Sequence, residues 1–416
     1  MQDGPIALEL DRAKAFDECD TLRQFRERFP LASEVIYLNG NSLGLMSRES
    51  RASMERVAAE WEHLAIAAWA SASPPWLTAG ERLGRAFESL VGAEPGEVIV
   101  TGTTTANIHS LVASFYTPTD RRKRILATEL DFPSDIYALQ GQLIMRHGLE
   151  GSGLLIKVPS KDGWTVNEQD IIDLMDDTVA LAFIPSVHYC SGQLLDLERI
   201  AAHARARGIL LGVDLCHSIG ILSHSLSAWG VDFAVWCNYK WMNGGPGAPG
   251  GLYVHSSHRD RRPLLAGWWG SDKASQFMMS HRFDPAAGAG RYQVSTPPML
   301  SMGPVEGALS IIREAGIDRI REKSLSLTDY MMQLVDTYLA SSGFSIVTPR
   351  EPGRRGGHVA LSHPDAKVIR EAMEVRNIVT DFRYPSVIRL APSPLYTSYE
   401  DVLNAVLITR DIVSGM

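Results

Sequence analysis

Two short apolar runs, each leading to a charged side chain, constrain this sequence more than any other feature. Ile209–Asp214 (I-L-L-G-V-D) ends in an acid, and Asp232–Cys237 (D-F-A-V-W-C) continues into Asn238, Tyr239 and Lys240. Runs this short and this rich in Val, Ile and aromatics suit buried strands of an α/β sheet. Open sheets of that kind bind ligands in the crevice outside the carboxyl ends of their strands. The pattern therefore aims an aspartate and a lysine at one crevice.

Burial favours a neutral amine, the form that makes a Schiff base with an aldehyde. An upstream buried aspartate is the partner that keeps a pyridine nitrogen protonated. Asp214, His217 and Lys240 in this order suggest pyridoxal phosphate, with Lys240 on the aldehyde, Asp214 on the ring nitrogen and His217 beside the ring. Taken alone, these residues fit equally well a strand-end lysine reaching solvent and an aspartate capping a turn.

A second stretch bears on the choice. Glu97–Val100 reads as a strand, followed by T-G-T-T-T-A-N over 101–107 and a helix from about Ala106 to Phe115. Free N–H groups, the helix dipole and threonine hydroxyls attract an anion there. A threonine-rich N-cap is the plainer account; a single cofactor phosphate is the sharper one. No Walker lysine is present, so a nucleoside triphosphate is not expected. Gly245–Gly250 matches G-x-G-x-x-G, but Pro246 and Pro249 cannot open a phosphate-binding helix, so the dinucleotide reading fails. Those glycines let backbone pass close to a ligand or a partner subunit.

The 416 residues suffice for a large domain and a smaller one, and 45% hydrophobic with 21% charged residues supplies a real core. A net charge of −8 argues against a nucleic-acid surface, and Arg121–Arg124 reads as a solvated loop. No apolar run reaches membrane-spanning length, and the N-terminus lacks the basic start and apolar core of a signal peptide. Cys19, Cys190, Cys216 and Cys237 form no C-x-x-C pair, so reduced thiols in a cytoplasmic protein are expected, with no metal site.

Strands at Ile125–Thr128, Leu154–Val158 and Val179–Pro185 alternate with helices at Ser134–Met145, Asn167–Met175 and Leu197–Arg207. This βαβ alternation predicts a mostly parallel sheet. A short helix is expected near Asp20–Phe29, and Ser47 caps a helix carrying a stripe from Met54 to Ala68. After Pro297-Pro298, helices at Val305–Ala315 and Ile317–Ala340 and strands at Phe344–Val347, His358–Leu361, Val379–Phe382 and Val387–Leu390 read as a second α/β domain. The expected division is an arm at 1–50, a cofactor domain at 51–298 and a smaller domain at 299–416.

Six motifs, in order, give the chain a wider identity: N-G-N-S-L-G-L at Asn39–Leu45, F-P-S-D at Phe132–Asp135, Asp214 with His217, Y-K-W-M-N-G-G-P-G at Tyr239–Gly247, G-W-W-G at Gly267–Gly270 and I-R-L-A-P-S-P-L-Y at Ile388–Tyr396. Over nearly its whole length the sequence resembles kynureninase, a fold-type-I pyridoxal phosphate enzyme related to class V aminotransferases. The resemblance implies that fold, with a mostly parallel seven-stranded sheet, and a homodimer with its site at the subunit interface. It implies Thr104, Thr105 and Tyr239 at the phosphate, and Phe132, Asp135 and Ser186 along the cofactor. Trp268 and Thr296 would close the site from the second subunit. Arg389 would grip the substrate α-carboxylate, with Ser42 beside the substrate; the bidentate fork of arginine suits that task. Trp69, Ser295 and Thr296 would surround the aryl ring. Ser295 stands where the family often has glycine, and A-S-A-S-P-P after Trp69 is atypical, which bears on aryl preference.

The implied reaction is hydrolysis of L-kynurenine, or its 3-hydroxy form, to anthranilate or 3-hydroxyanthranilate and L-alanine, a step of tryptophan catabolism and NAD biosynthesis. Lys240 and Tyr239 are the candidate acid–base pair and Asp214 the ring partner. A class V aminotransferase is the alternative. A cysteine desulfurase needs a nucleophilic cysteine in the smaller domain, and no cysteine follows Cys237. A DNA-binding regulator lacks room within residues 1–35 for a helix pair.

Overall fold

The apolar runs do pair into one sheet. In the computed structural model, which describes residues 3–416, its strands are β2 (Val98–Val100), β3 (Arg124–Thr128), β4 (Leu155–Val158), β5 (Val179–Pro185), β6 (Leu210–Asp214), β7 (Phe233–Trp236) and β8 (Gly251–Val254), following a short β1 (Ile36–Tyr37) that lies elsewhere. The order is β2-β8-β7-β6-β5-β3-β4. Pairs from β7 to β4 are parallel, and β8 runs antiparallel to both neighbours. A parallel return needs a long crossover, usually helical. The link between β7 and β8 contains only turns, so the chain comes straight back.

Alternation across the strands splits the interior in two. Leu126, Ile184, Val213 and Trp236 face one core, where Leu83 and Phe87 of the helix Ala79–Val91 meet them. Ile125, Phe183, Phe233 and Val235 face the other, under the helices Thr104–Phe115 and Pro133–His147. Both faces are covered, which is why the strands lack polar alternation.

A second sheet of β9 (Ser345–Ile346), β10 (Val359–Ser362), β12 (Asp381–Arg383) and β13 (Val387–Leu390) is antiparallel, in the order β12-β13-β10-β9. Its core takes Leu327, Met331 and Val335 from the helix Ile317–Tyr338 and Val402 and Val406 from Tyr399–Ser414. The remaining strand, β11 (Ile378–Val379), pairs in parallel with β1 and carries the N-terminal segment to this side of the molecule.

Three local expectations change. The helix expected near Asp20–Phe29 is instead Asp3–Cys19 followed by a 3-10 turn at Arg23–Arg28. Asp20 causes the break: its carboxylate accepts the Leu22 N–H at 2.8 Å and pairs with buried Lys323 at 2.6 Å. The helix expected from Val305 begins at Met299 and carries Pro304 inside it. It lies against the helix Arg48–Leu64 because Gly303 and Gly307 leave room; a Cβ on Gly307 would sit 2.3 Å from the Glu49 carbonyl oxygen. Its Met302, Val305 and Leu309 join the core of the larger sheet. The expected stripe on Arg48–Leu64 is also interrupted: Val57 is buried, but Trp61 stands exposed. Ser47 caps that helix, accepting from the Ser50 N–H.

Candidate active site

The ends of β5, β6 and β7 converge on one cavity. Asp214 closes β6 and is buried, and its Oδ1 accepts the Cys216 N–H at 2.8 Å, which fixes the carboxylate. Lys240 lies four residues beyond β7, in a turn closed by the Asn243 N–H on its carbonyl. Its Nζ is 2.9 Å from Nε2 of His217 and 5.9 Å from the centre of the Phe132 ring. Lys240 is half-buried: protein surrounds the amine, which opens on the cavity.

Thr104 and Thr105 open the helix Thr104–Phe115 and line the same cavity. Gly250 permits this approach: a Cβ there would lie 2.9 Å from the Trp236 carbonyl oxygen and 3.4 Å from the Thr104 nitrogen. Phe132 and Asp135, at the start of Pro133–His147, form a wall, and Phe132 meets Tyr189 edge-on at 5.2 Å.

The opposite wall comes from the smaller sheet. Arg389 on β13 is 1% exposed, far from the solvated surface where an ion pair counts for little. Its Nη2 donates to Ser42 Oγ at 3.0 Å and its Nη1 to the Tyr189 carbonyl at 2.6 Å. The loop carrying Ser42 is locked to the lysine turn, because the Gly44 N–H donates to the Tyr239 carbonyl at 2.7 Å. Asn41 is fully buried on this cavity, and neither of its amide atoms has a partner.

Charge in the cavity is unevenly shared. Burial is the strongest influence on Lys240 and opposes its charge, but Cys237, Cys216 and Asp214 together outweigh it and hold the amine above its ordinary value. The neutral amine expected from burial alone is therefore not what these surroundings favour. Burial, then the Lys240 charge, keeps His217 neutral, well below the usual histidine range. Burial and the neighbouring Asp214 and Asp131 push Asp135 well up, and burial raises Asp131 to about 7. Burial likewise drives the Tyr239 phenol upward, so it keeps its proton.

Lys240, Tyr239, Asp214, His217, Arg389 and Ser42 thus share one cavity with Thr104, Thr105, Phe132 and Asp135. Ser186 lies behind it: its N–H donates to the Asp214 carbonyl at 2.8 Å, and its buried Oγ has no partner. Four expected residues lie outside. Trp69 packs on Trp76 and Trp269, with ring centres 5.7 and 5.0 Å away. Trp268, Ser295 and Thr296 are exposed. Sequence reasoning passed over Asp381, Arg383 and Tyr189. The signal for the first two was D-F-R on a strand, where alternation puts acid and arginine on one face.

The kynureninase C-terminal domain family matches residues 320–409. A kynureninase from Geobacillus thermodenitrificans is 50% identical over 413 residues, covering 99% of this chain and 96% of that protein. One from Shouchella clausii is 47% identical over 401 residues, covering 96% and 93%. Among solved structures, an apo cysteine desulfurase from Thermococcus onnurineus aligns with a TM-score of 0.79 at 18% identity, covering 94% of this chain and 98% of that one. A C-DES variant with glycine covalently linked to its PLP cofactor aligns at 0.80 and 17%, covering 93% and 99%. These last two share the fold alone, whereas identity near one half, sustained over almost every residue, places this chain in the kynureninase family.

Proposed function

We propose that this chain hydrolyses L-kynurenine to anthranilate and L-alanine with pyridoxal 5'-phosphate as cofactor. The observation that carries the reading is the placement of Lys240, Asp214 and Arg389 on three sides of one cavity, in a chain so similar to kynureninases. The residues present fit the cofactor. A helix start with two threonines suits a phosphate, and the buried Asp135 Oδ2 and Ser186 Oγ lack partners. When bound, pyridoxal phosphate supplies an aldehyde and a ring that accepts electrons from the substrate carbon.

The chain does the rest. Lys240 holds the aldehyde end and moves the proton at the substrate α-carbon. Asp214 holds a proton at the ring nitrogen. Arg389 binds the α-carboxylate. Water adds to the substrate's aryl ketone, the bond between that carbonyl carbon and Cβ breaks, the aryl carboxylic acid leaves, and Tyr239, protonated and beside Lys240, donates the proton that Cβ takes up as it becomes the methyl of alanine. Phe132, on the cavity wall, would line the ring's face.

The working unit is a homodimer. Trp268 and Thr296 lie outside their own chain's cavity, and Trp268, Phe277, Met278 and Met279 form an exposed apolar surface. Trp69, Ser295 and Thr296 take the aryl ring across that interface, where 3-hydroxykynurenine is the competing substrate. Residues 1–50 act as an arm, 51–298 as the cofactor domain and 299–416 as the smaller domain. The protein works in the cytoplasm, in tryptophan catabolism; no described helix is long and apolar enough to cross a membrane.

The test is to incubate the purified protein and pyridoxal phosphate with L-kynurenine and no keto acid. Equal amounts of anthranilate and L-alanine are expected, and Lys240→Ala abolishes both turnover and the cofactor's visible absorption band. Consumption of L-kynurenine only when a keto acid is added, giving the 2-oxo acid of kynurenine and no anthranilate, would instead identify an aminotransferase.

A further inference from the structure

Asp381 lies on β12 directly opposite Arg389 on β13. Residues so opposed share one face of a sheet. Its carboxylate accepts Arg389 Nε at 2.8 Å and also Arg389 Nη2. The same carboxylate accepts Ser42 Oγ at 2.6 Å and Arg383 Nη2 at 2.8 Å. The adjacent strands β12 and β13 and the remote Ser42 loop therefore meet on one acid.

A guanidinium has five N–H donors. On Arg389, Nε and Nη2 serve Asp381, Nη2 also serves Ser42, and Nη1 serves the Tyr189 carbonyl. One N–H of Nη1 remains without a protein acceptor. Asp381 occupies the Nε–Nη2 edge, Ser42 Oγ takes the other N–H of Nη2, and the one free N–H of Nη1 is left for a ligand. Asp381 sits as a brace behind the guanidinium, not in the place a ligand carboxylate would take. Two arginines around one acid leave a single net positive charge, which one carboxylate of a ligand balances. The unpartnered amide of Asn41 opens on the same cavity.

We propose that Asp381 is a positioning residue that fixes the plane of Arg389 and the rotor of Ser42, so that the free Nη1 N–H and the Ser42 hydroxyl donate to one amino-acid carboxylate. This rests on reading Arg389 as the carboxylate site. Ser42 is the adjustable part. It accepts from Arg389 while donating to Asp381, and rotation of the hydroxyl frees that donor for the ligand. Removing the charge of Asp381 loosens both.

The test uses holoenzyme titrated with L-alanine and with L-alaninamide, which lacks the carboxylate, followed by the cofactor's visible absorption. The wild type prefers alanine. Asp381→Asn is expected to reduce that preference by roughly ten- to a hundredfold, through weaker alanine binding with alaninamide binding unchanged, as for loss of a charge-assisted hydrogen bond. KM for L-kynurenine should rise by more than kcat falls, and Asp381→Glu should restore part of the preference. An unchanged preference, or equal weakening of both ligands, overturns the proposal. So does tighter alanine binding, which would make Asp381 a competitor of the substrate. If Asp381→Asn does not take up cofactor, Ser42→Ala serves instead: a severalfold loss of preference is expected, and no loss overturns the idea. A wild type that prefers alanine but does not cleave kynurenine rejects the hydrolase assignment and leaves the role of Asp381 standing.

Discussion

Lys240 Nζ and His217 Nε2 lie 2.9 Å apart, and the histidine is the acceptor. Burial and the adjacent ammonium keep the imidazole neutral, which puts its proton on Nδ1 and leaves Nε2 its lone pair. His217 is thus a proton acceptor for the lysine, in addition to a neighbour of the ring. His217→Leu removes that acceptor and disfavours the ammonium. A hydrogen bond to a charged group contributes about 1.5–3 kcal/mol, so kcat should fall roughly ten- to a hundredfold. The ionisation of Lys240 in the pH–rate profile should move to lower pH. An unshifted profile would sink the assignment.

Asp214 and Asp135 both border the cavity, but their surroundings separate them. Burial and its acidic neighbours push Asp135 toward the protonated form, for which an amide is a fair copy. Asp135→Asn should therefore keep kcat within a few fold. Asp214 receives a backbone N–H, and in the proposed reading its charge balances a ring cation. Asp214→Asn removes preorganised charge from the site and should cost about 10²–10³ in kcat. Steady-state rates at matched cofactor occupancy decide it; equal losses in the two variants would refute the division of roles.

The lysine side of the site was legible in the sequence because strand ends carry it. Apolar runs announce β6 and β7, and a buried strand leaves few places for Asp214 and Lys240 to go. The threonine-rich stretch 101–107 followed from a strand, a turn and a helix start, whereas Thr104 and Thr105 in particular came from the family resemblance. The arginine side was legible only as V-I-R-L-A-P, one charge within an apolar run. What surrounds Arg389 comes from the neighbouring strand, which carries Asp381, and from two remote loops, so Ser42 and Tyr189 could not be grouped with it by spacing. The helix Asp3–Cys19 was missed because its apolar residues form no clean stripe: Ala13 is buried, while Leu8 is mostly exposed. The sheet's parallel character was readable from the βαβ rhythm, but the reversal at β8 depends on a link that makes only turns.

Four buried histidines make stability sensitive to acid. Burial lowers His188 and His224 to about 4, His358 to about 3 and His217 well below its usual range. Each is neutral in the fold and takes a proton only on unfolding, so its contribution is complete above about pH 6.5 and is lost as pH falls toward the folded value. Asp131 and Asp135 act in the opposite sense. Burial raises Asp131 to about 7, so it favours the fold below about pH 4 and loses that benefit as pH rises toward 7, and Asp135, also pushed up by burial, acts in the same direction. Near pH 5 the unfolded chain binds roughly four extra histidine protons and the fold roughly two extra carboxyl protons. The histidine protons outnumber the carboxyl protons, so stability falls on acidification, by roughly a few kcal/mol per pH unit. Urea midpoints at pH 6.5 and 5.0 measure this. His224→Gln, remote from the cavity, should reduce the slope by about one proton; a flat dependence in the wild type would contradict the account.

Trp268 is 44% exposed, and Phe277 stacks edge-on against it at 5.5 Å, beside Met278 and Met279 at 78% and 68% exposed. Large apolar side chains gathered on one loop mark a surface that another chain covers. In the proposed homodimer, a closed pair would place this surface of each chain against its partner, with each Trp268 able to serve the other's cavity. Sedimentation should give twice the 45.7 kDa chain mass. Met278→Asp with Phe277→Asp should shift the population to monomer and lower turnover. The sharper experiment mixes two inactive variants. Lys240→Ala lacks the amine, and Trp268→Ala lacks the wall it lends. When the chains are dissociated and reassociated together, half of the dimers are mixed and each has one intact cavity. Activity should return to about a quarter of the wild-type value. If the mixture stays as inactive as its parts while the dimers do exchange, Trp268 serves its own chain's cavity or none at all.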